Sequence, residues 1–359
     1  MKLALFGLCG SFDYRHIGGM DSIVRQLGCE LVKRGIKVDF VHFGAPEERE
    51  EDTSEGIHLR YYRSFKESLQ ALAGRYDHVL TIYVPPKQRP VYARFRHREA
   101  QRIRFHLLYA GWPESLLKRE LLFMESRLMP YNGYLFCISP RQHRHLSKWS
   151  ERAVLLLPPV PEGYFLRPDE KPKHDRLYVA YMGRLDPGKG TETVIALLKH
   201  LRKEFETRVY GYSWHYEPRS MQLHQQLLAQ DEIFYEPTEF QGYSPEVESR
   251  VHEILSETDV LLLPYAKLSS TIDTPLLLLE GMAHLCAVVT RPLGSMPEIY
   301  GMTKWMLDDL SDHRHVARLL RELGERLDEE RQRLALRNQE LKFSAREVAD
   351  QFYEALRCI

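Results

Sequence analysis

Short apolar stretches alternate with amphipathic segments along most of the chain. Residues 3–8 (LALFGL) and 38–43 (VDFVHF) are both strongly apolar. Between them Ile23, Val24, Leu27 and Leu31 recur at helical spacing. Buried strands joined by amphipathic helices are typical of βαβ units, so the pattern predicts parallel sheets with helices on both faces.

The same alternation predicts the other elements of both halves. In the first half we expect further strands at 57–62, 78–83, 103–109 and 133–137, and helices at 67–73, 94–101, 114–127 and 140–148. In the second half we expect strands at 178–182, 207–211, 259–264 and 286–290, and helices at 191–203, 221–228, 246–257, 275–283, 312–336 and 344–358.

A polar break separates the two halves. Residues 167–175 (RPDEKPKHD) contain two prolines and several charges, a composition typical of an inter-domain linker. We therefore predict an N-terminal Rossmann-like domain at 1–166, a linker at 167–175 and a C-terminal Rossmann-like domain at 176–342. A final helix is predicted at 343–359.

The net charge of zero is a cancellation between these halves. Residues 1–166 hold 25 basic and 18 acidic side chains, whereas the remainder holds 25 basic and 32 acidic ones. Neutrality of the whole chain argues against a dedicated nucleic-acid binder. Five cysteines without a C-x-x-C pair and no apolar run near 18 residues favour a reduced, cytoplasmic protein without a membrane span.

The basic excess is densest at residues 87–104 (KQRPVYARFRHREAQRIR). Arg94, Arg96 and Arg98 are interleaved there with Tyr92 and Phe95. Such a segment suits an anionic membrane surface or a phosphorylated acceptor. An ordinary solvated helix face has the same composition, and the pattern alone does not decide between these readings.

The strongest motif is residues 181–190 (YMGRLDPGKG), where a strand ends in a glycine-containing basic loop before a helix. Arg184 can direct two donors at phosphate oxygens, and Lys189 adds a second positive charge. Ligands of open α/β sheets bind beyond the carboxyl ends of strands. A solvated basic loop is the alternative. The segment lacks the G-x-x-x-x-G-K-[ST] pattern of a Walker loop.

A second motif lies at residues 269–298. Asp273 and Thr274 offer capping side chains, and Pro275 suits the first turn of a helix whose N–H groups would attract an anion. Glu280 is an acid on an otherwise apolar helix, which suggests a ligand hydroxyl or a buried arginine as its partner. Glu298 follows a turn, where a helix-start carboxylate is the simpler interpretation.

Gly18 and Gly19 follow the first strand, where glycine lets backbone approach a phosphate closely. The loop lacks the G-x-G-x-x-G pattern, so a nicotinamide-dinucleotide site is not supported.

Taken in order, these segments resemble a nucleotide-sugar glycosyltransferase of the GT-B fold, and specifically the retaining family 4. The resemblance extends over nearly the whole chain, and its most specific parts are ETDVLLLPY and LLEGMAHLCAVVTRPLGSMPEI. It implies an α/β architecture of two Rossmann-like, doubly wound parallel-sheet domains facing a central cleft. It also implies that the last helix crosses back to the first domain.

The resemblance assigns roles to particular residues. Arg184 and Lys189 would bind the donor pyrophosphate, with Gly18 and Gly19 closing on it from the other domain. Glu280 matches the second glutamate of the family motif and would hold the ribose hydroxyls, while Thr274, Pro275 and Leu276 would line the sugar-phosphate. The first glutamate is missing: Ile272 stands in its place, and Asp273 is expected to substitute for it.

One further residue follows from the resemblance. His106 aligns with a histidine that the family often carries opposite the donor, although an ordinary strand histidine would fit the same position. Arg94, Arg96 and Arg98 would lie on the acceptor or membrane side.

The expected reaction is a retaining transfer from a nucleoside-diphosphate sugar, UDP or GDP, to a glycan, glycolipid or small-molecule hydroxyl. No metal, other cofactor or nucleic acid is expected. The enzyme would be cytoplasmic or peripheral at the inner face of a membrane. The alternatives are a non-catalytic sugar-nucleotide-binding or partner subunit of the same fold and a GT-B-type sugar epimerase.

Overall fold

The chain forms two compact units in a computed structural model. The first comprises Met1–Pro161 and Phe343–Ile359, and the second comprises Glu162–Lys342. The structure describes residues 1–109, 111, 115–117, 119–120, 124, 130–213, 217–238 and 242–358. The helix predicted at 114–127 lies largely outside these residues.

The first unit is built on an eight-stranded sheet with the order β3-β4-β2-β1-β5-β6-β7-β8. Its pairs are parallel except β3 with β4. The strands are β1 (Lys2–Leu8), β2 (Lys37–Phe43), β3 (Arg49–Asp52), β4 (His58–Tyr62), β5 (His78–Tyr83), β6 (Arg104–Tyr109), β7 (Leu135–Cys137) and β8 (Ala153–Leu155).

Helices of the first unit pack on this sheet through apolar and aromatic side chains. They are α1 (Gly19–Lys33), α2 (Phe65–Leu72), α3 (Arg89–Glu99), α4 (Pro140–Leu146) and the C-terminal α12 (Ala345–Arg357). Phe6 of β1 contacts Phe43 and Tyr92 in the core, with ring centroids 5.3 and 5.4 Å away. In α12, Phe352 packs on Phe136 of β7 at 4.7 Å, so the final helix belongs to the first unit.

The second unit contains a five-stranded parallel sheet with the order β11-β10-β9-β12-β13. Its strands are β9 (Tyr178–Arg184), β10 (Glu206–Tyr212), β11 (Phe234–Thr238), β12 (Val260–Leu263) and β13 (Ala287–Thr290). Its helices are α5 (Thr191–Leu201), α6 (Pro218–Leu228), α7 (Pro245–Glu257), α8 (Leu276–Ala283), α9 (Met296–Tyr300), α10 (His313–Glu325) and α11 (Leu327–Leu341).

The order of the strands fixes where a ligand site can form. After β9 the chain proceeds to β10 and β11 on one side, and later to β12 and β13 on the other. The switch point therefore lies between β9 and β12, where the loops that leave their carboxyl ends diverge and leave a crevice. In the first unit the equivalent point lies between β1 and β5.

The segment predicted as a linker differs from that expectation. Residues 167–175 pack within the second unit: Lys171 is 4% exposed and donates from Nζ to the carbonyl oxygen of Leu255 at 2.6 Å. The His174 ring bonds Asp259 at 3.0 Å. The division between the units falls instead at residues 161 and 162. The polar segment is therefore part of the second unit, and the boundary between the two units lies before it.

Candidate functional site

The loop after β9 is held in shape by its own side chains. Asp186 accepts a hydrogen bond from the backbone N–H of Gly188 at 2.7 Å and forms an ion pair with Arg184. The hydroxyl of Thr191 bonds both the N–H and the carbonyl of Asp186, each at 3.1 Å. Asp186 and Thr191 are not among the predicted site residues, although an aspartate before Pro-Gly is a frequent turn signal.

This loop lies against the loop that follows β12. The backbone N–H groups of Ala266 and Lys267 donate to the carbonyl of Gly188 at 2.9 and 3.2 Å. Gly190 has a φ of 77° and contacts the carbonyl oxygen of Pro264 so closely that a β-carbon on residue 190 would overlap with it. The first predicted motif therefore meets the loop that leads from β12 to the second one, at the switch point of the second sheet.

Two cationic side chains, Arg184 and Lys189, lie at this switch point. Arg184 ends β9 with 23% of its side chain exposed, and Lys189 closes the one-turn helix Pro187–Lys189. Burial and the neighbouring Arg184 lower the pKa of Lys189 to about 8, against a smaller opposing effect of Asp186. The lysine amine lies 5.6 Å from the ring of Tyr265. A diphosphate here would offset the repulsion between the two cations.

The helix α8 presents one accessible strip. Leu277 and Glu280 are half-buried, whereas Leu276, Leu278 and Leu279 are buried. Glu280 therefore lies on the face of α8 that solvent reaches, one turn from the helix start.

The N-terminus of α8 follows Thr274 and Pro275, which are both buried. The N–H groups of Leu278 and Leu279 donate to the Pro275 carbonyl at 3.1 and 3.4 Å, and those of Leu276 and Leu277 donate to no described residue. Free N–H groups at the start of a helix attract anions.

Two histidines support the C-terminal end of α8. The Nδ1 of His284 donates to the carbonyl of Glu280 at 2.8 Å, so its Nε2 accepts from Nδ1 of His252 at 2.9 Å. Burial lowers the pKa of His284 to about 3 and keeps the ring neutral. No sequence motif indicated this pair.

Asp273 is held between the start of α8 and the turn before α9, and its predicted contact with the donor sugar stays a prediction. It is 1% exposed, and its Oδ2 accepts from the hydroxyl of Ser295 at 2.8 Å. The backbone N–H of Ser295 donates to the Asp273 carbonyl at 3.4 Å. The carboxylate thus connects the segment before α8 to the turn before α9. Glu298, in the first turn of α9, is exposed.

Gly18 and Gly19 stand at the start of α1, next to the switch point of the first sheet. Gly19 is exposed, and Gly18 is extended at a φ of −172°. A β-carbon on Gly18 would overlap with the carboxylate of Asp21, which accepts from the backbone N–H of Asp13 at 2.7 Å. The close approach of Asp21 explains the glycine locally, and the predicted contact with a donor phosphate stays a prediction.

His106 is a core residue, contrary to the active-site interpretation. It lies within β6 with no exposed surface. The Tyr134 N–H donates to its Nδ1 at 3.0 Å, so neutral His106 carries its proton on Nε2 and donates to Nδ1 of His78 at 3.1 Å. Burial lowers its pKa to about 3. A ring with both nitrogens bonded and no exposure cannot contact a ligand.

The three arginines of α3 separate into two groups. Arg94 and Arg98 are exposed, and their predicted contact with an acceptor or membrane stays a prediction. Arg96 is 7% exposed, donates to the Pro130 carbonyl at 3.1 Å and stacks 3.6 Å above the ring of Tyr131. Arg96 is therefore a packing residue, because the positions 92, 95, 96 and 99 form the buried face of this helix.

No group of three His, Cys, Asp or Glu side chains is placed to hold a metal ion among the residues that the structure describes. Within the same ranges, no helix combines the length and the apolar character needed to cross a membrane.

Comparison with solved structures defines the class of fold. A glycosyltransferase from Rickettsia africae ESF-5 is 12% identical, with a TM-score of 0.71 over 99% of this chain and 97% of that one. Anabaena HepE, solved with UDP and glucose, is 12% identical, with a TM-score of 0.71 over the whole of both chains. The outer core galactosyltransferase WaaB is 14% identical, with a TM-score of 0.61 over 100% and 99%. The chain has the GT-B fold of nucleotide-sugar glycosyltransferases.

A family model matches part of the second unit. Residues 176–325 match the model described as glycosyl transferases group 1. No curated protein matches the chain by sequence. The matched range contains Arg184, Lys189 and Glu280, and the resemblance to this class is confirmed.

Proposed function

We propose that the protein is a retaining glycosyltransferase of family 4 type that transfers a sugar from a nucleoside-diphosphate sugar to a hydroxyl acceptor. The observation that carries this proposal is the meeting of the Arg184–Lys189 loop with the segment before α8 at the switch point of the second sheet. Both lie within the range that matches the group 1 family.

The donor would be a UDP- or GDP-sugar. HepE, which shares the fold, was solved with UDP and glucose. Arg184 and Lys189 would bind the diphosphate as charge-assisted donors. The start of α8, at Thr274, Pro275 and Leu276, would lie against the sugar-phosphate, and Glu280 would accept hydrogen bonds from the ribose hydroxyls. Gly18 and Gly19 would contact the phosphates from the first unit.

In the proposed reaction the bond between the anomeric carbon and the phosphate oxygen breaks. The acceptor oxygen bonds to the anomeric carbon on the same face, and its proton passes to the leaving phosphate. Arg184, Lys189 and the N–H groups of α8 would stabilise the developing negative charge without a metal ion. The acceptor, a glycan, glycolipid or small molecule, would approach from the first unit.

A second candidate is a sugar-nucleotide-binding subunit without catalytic activity. The missing first glutamate of the family motif favours it, because Ile272 stands in that place and supplies no charge. Such a protein would retain the phosphate and ribose contacts and lack a side chain that holds the sugar.

Five free cysteines agree with a reducing cytoplasm, which we propose as the compartment. Contact with the inner face of a membrane is a separate proposal that depends on α3.

A panel of UDP-, GDP- and ADP-sugars tests both candidates with the full chain. Calorimetry would measure binding, and release of the nucleoside diphosphate would measure turnover, first by slow hydrolysis and then with methyl glycosides as acceptors. We expect one donor to bind and turn over. Binding without turnover would support the subunit, and no binding of any donor would exclude both.

Matched variants assign the result to the site. Lys189→Met should weaken donor binding at least tenfold, whereas Lys199→Met, which removes an exposed lysine of α5, should leave it unchanged. Equal losses in both variants would contradict the assignment of the diphosphate to this loop.

A further inference from the structure

A lysine and a cysteine lie side by side in the interior of the second unit. The Nζ of Lys171 is 3.6 Å from the Sγ of Cys286, and the two residues are 4% and 0% exposed. Both groups also contact the carbonyl oxygen of Leu255, at 2.6 Å from the amine and 3.3 Å from the sulfur. Cys286 precedes β13, so the pair lies at the amino ends of the parallel strands, opposite the proposed donor site.

The backbone on each side holds the two groups together. Next to Lys171, the carbonyl oxygen of Pro172 accepts from Arg331 at 3.3 Å. The backbone N–H of Cys286 donates to the carbonyl of Gly281 in α8 at 2.8 Å. The approach of the amine to the sulfur is therefore built into the fold of the second unit.

Burial favours the neutral forms of both groups. It lowers the pKa of the Lys171 amine and raises the pKa of the Cys286 thiol, while the attraction between ammonium and thiolate opposes both changes. A neutral amine has a lone pair that can accept the thiol proton or attack an electrophile. Cys137 of the first unit provides a contrast, because burial alone raises its pKa to about 12.

We propose that Lys171 and Cys286 form a site of reversible oxidative modification, at which hydrogen peroxide joins the amine nitrogen to the sulfur as a sulfenamide. A thiol beside a basic group is activated toward oxidation, and a sulfenic acid condenses with a neighbouring nitrogen. The modification does not depend on donor binding, so this proposal and the proposed function can fail separately.

The first step oxidises the sulfur. The amine takes the thiol proton, the sulfur attacks one oxygen of the peroxide, and the O–O bond breaks. The departing hydroxide takes the proton back from the ammonium and leaves as water. The product is a sulfenic acid beside a neutral amine.

The second step forms the cross-link. The amine nitrogen attacks the sulfur, the S–O bond breaks, and the hydroxyl group leaves with one amine proton as a second water. Overall the sulfur loses two electrons to one peroxide. An external thiol reverses the link by attacking the sulfur, which frees the amine, and a second thiol then reduces the mixed disulfide.

The placement of the lysine gives the pair a path to solvent and gives the link a structural effect. Lys171 enters the interior from a surface segment, in which residues 167–170, 173 and 175 are exposed. Peroxide is little larger than water and can approach along this side chain. A bond between residues 171 and 286 would close a long loop of the chain and restrict its unfolded state.

Mass spectrometry of the full-length protein treated with hydrogen peroxide tests the proposal. After proteolysis without reduction, the peptides that contain Lys171 and Cys286 should appear joined, with two hydrogen atoms fewer than their sum. Dithiothreitol added before proteolysis should restore the separate peptides. A Cys286 that stays reduced, or that is oxidised without being joined to Lys171, would overturn the proposal.

Matched variants test the role of the amine. Lys171→Met keeps the unbranched side chain and removes the nitrogen, so it should abolish the cross-link and slow oxidation of Cys286 at least tenfold. Cys137→Ala removes a buried thiol of the first unit and should leave cross-linking unchanged. Equal oxidation rates of Cys286 in the wild type and Lys171→Met would contradict the proposal. The peptide analysis of the wild type decides it even if Lys171→Met fails to fold.

Urea unfolding measures the effect of the link on the second unit. The peroxide-treated wild type should unfold at a higher urea concentration than the reduced protein, and dithiothreitol should remove the difference. The variant Cys286→Ser retains the other four cysteines and should show no such shift. An equal shift in Cys286→Ser would assign the effect to another cysteine and contradict this site.

Discussion

The backbone of Gly190 contacts the carbonyl oxygen of Pro264 with no room for a side chain between them. One residue begins the helix after β9, and the other follows β12. The contact fixes the distance between two loops that the chain separates by more than 70 residues. The Arg184–Lys189 loop and the segment before α8 hold their relative position partly through it.

Replacing Gly190 by alanine should therefore destabilise the second unit. Gly35 provides a matched control, since it has the same φ of 77° and no heavy atom within 4 Å of the position of a β-carbon. Gly35→Ala should cost about 1 kcal/mol from the left-handed backbone alone. Gly190→Ala should cost at least about 1 kcal/mol more, because the overlap with Pro264 forces a backbone shift.

Urea unfolding followed by fluorescence would measure the difference between these variants, and calorimetry would measure donor binding. We expect Gly190→Ala to weaken donor binding and Gly35→Ala to preserve it. Equal destabilisation by the two alanines would mean that the loops adjust freely, and the contact would then have no positioning role.

Arg184 should contribute strongly to diphosphate affinity, because its guanidinium is half-buried and can donate two hydrogen bonds. Arg184→Ala should weaken UDP binding by about 10- to 100-fold, which is about 1.4–3 kcal/mol for charge-assisted hydrogen bonds. Arg184→Lys should restore only part of it, because lysine keeps the charge and loses the planar pair of donors. Arg202→Ala, which breaks an exposed ion pair with Glu232 in the same unit, is the control. A full rescue by lysine would indicate a simple charge effect.

Donor binding should also weaken in alkaline solution through Lys189. With a pKa near 8 in the free protein, the lysine is mostly charged at pH 7 and mostly neutral at pH 9.5. A bound diphosphate would favour the charged form and raise this pKa, so affinity must fall as pH rises through 8. Calorimetry between pH 7 and 9.5 should show this loss of donor affinity. Each tenfold loss corresponds to about 1.4 kcal/mol of lost interaction.

The variant Lys189→Met isolates this effect. The nucleotide titrates identically with both proteins, so the difference between their pH profiles reports the lysine. Parallel profiles for wild type and Lys189→Met would show that the amine does not contact the phosphates.

The folded state should lose stability in acid because three histidines are buried in neutral form. Burial lowers the pKa of His42 to about 4, and that of His106 and His284 to about 3. Between these values and 6.5 the unfolded chain binds protons that the folded chain does not. Each histidine therefore removes up to about 1.4 kcal/mol per pH unit as pH falls below 6.5.

Phenylalanine variants of two of these buried histidines should show which ring is held by packing and which by hydrogen bonds. His42 packs between Phe12 and Tyr61 at 4.7 and 4.8 Å, and neither of its ring nitrogens bonds a described residue. His42→Phe should raise stability at pH 5. His106→Phe should lower it by about 1–3 kcal/mol at neutral pH, because it leaves the Tyr134 N–H and the His78 ring without their partner.

Denaturation at pH 7 and pH 5 would measure both effects, with the exposed His97→Gln as a variant that should change neither. A loss of stability on His42→Phe comparable to that of His106→Phe would contradict the distinction.

Much of the fold could be predicted because buried parallel strands have a strong apolar signature. The strand His78–Tyr83 has the predicted bounds, and β1, β2 and β6 differ by one residue at their starts. The antiparallel β3, Arg49–Asp52, was missed because it consists of charged residues. It is an edge strand whose Glu50 forms an ion pair with Arg60 of β4 at 3.2 Å. The local sequence of β3 does not reveal this pairing, because it depends on a partner in another strand.

The candidate site could be predicted in part, for a related reason. The loop containing Arg184 and Lys189 follows from the end of a strand and a glycine turn. The side chains of Asp273 and His106 could not be placed, because a carboxylate before a helix or an imidazole in a strand has the same sequence pattern whether it faces a ligand or the core. The burial of Arg96 did have a signal: with Tyr92, Phe95 and Glu99 it follows the helical period.

Glu280 and Asp273 should respond differently to substitution, and this difference tests how the donor is held. Glu280→Gln should weaken UDP binding several-fold and leave 2′,3′-dideoxy-UDP unaffected, because the lost interaction is with the ribose hydroxyls. Asp273→Asn should leave UDP affinity unchanged. It should cost about 1–3 kcal/mol of stability, because the new amide is buried where a carboxylate accepted from Ser295. If Asp273→Asn instead weakened UDP-glucose relative to UDP at unchanged stability, the carboxylate would face the sugar, and the substitution for the missing glutamate would stand.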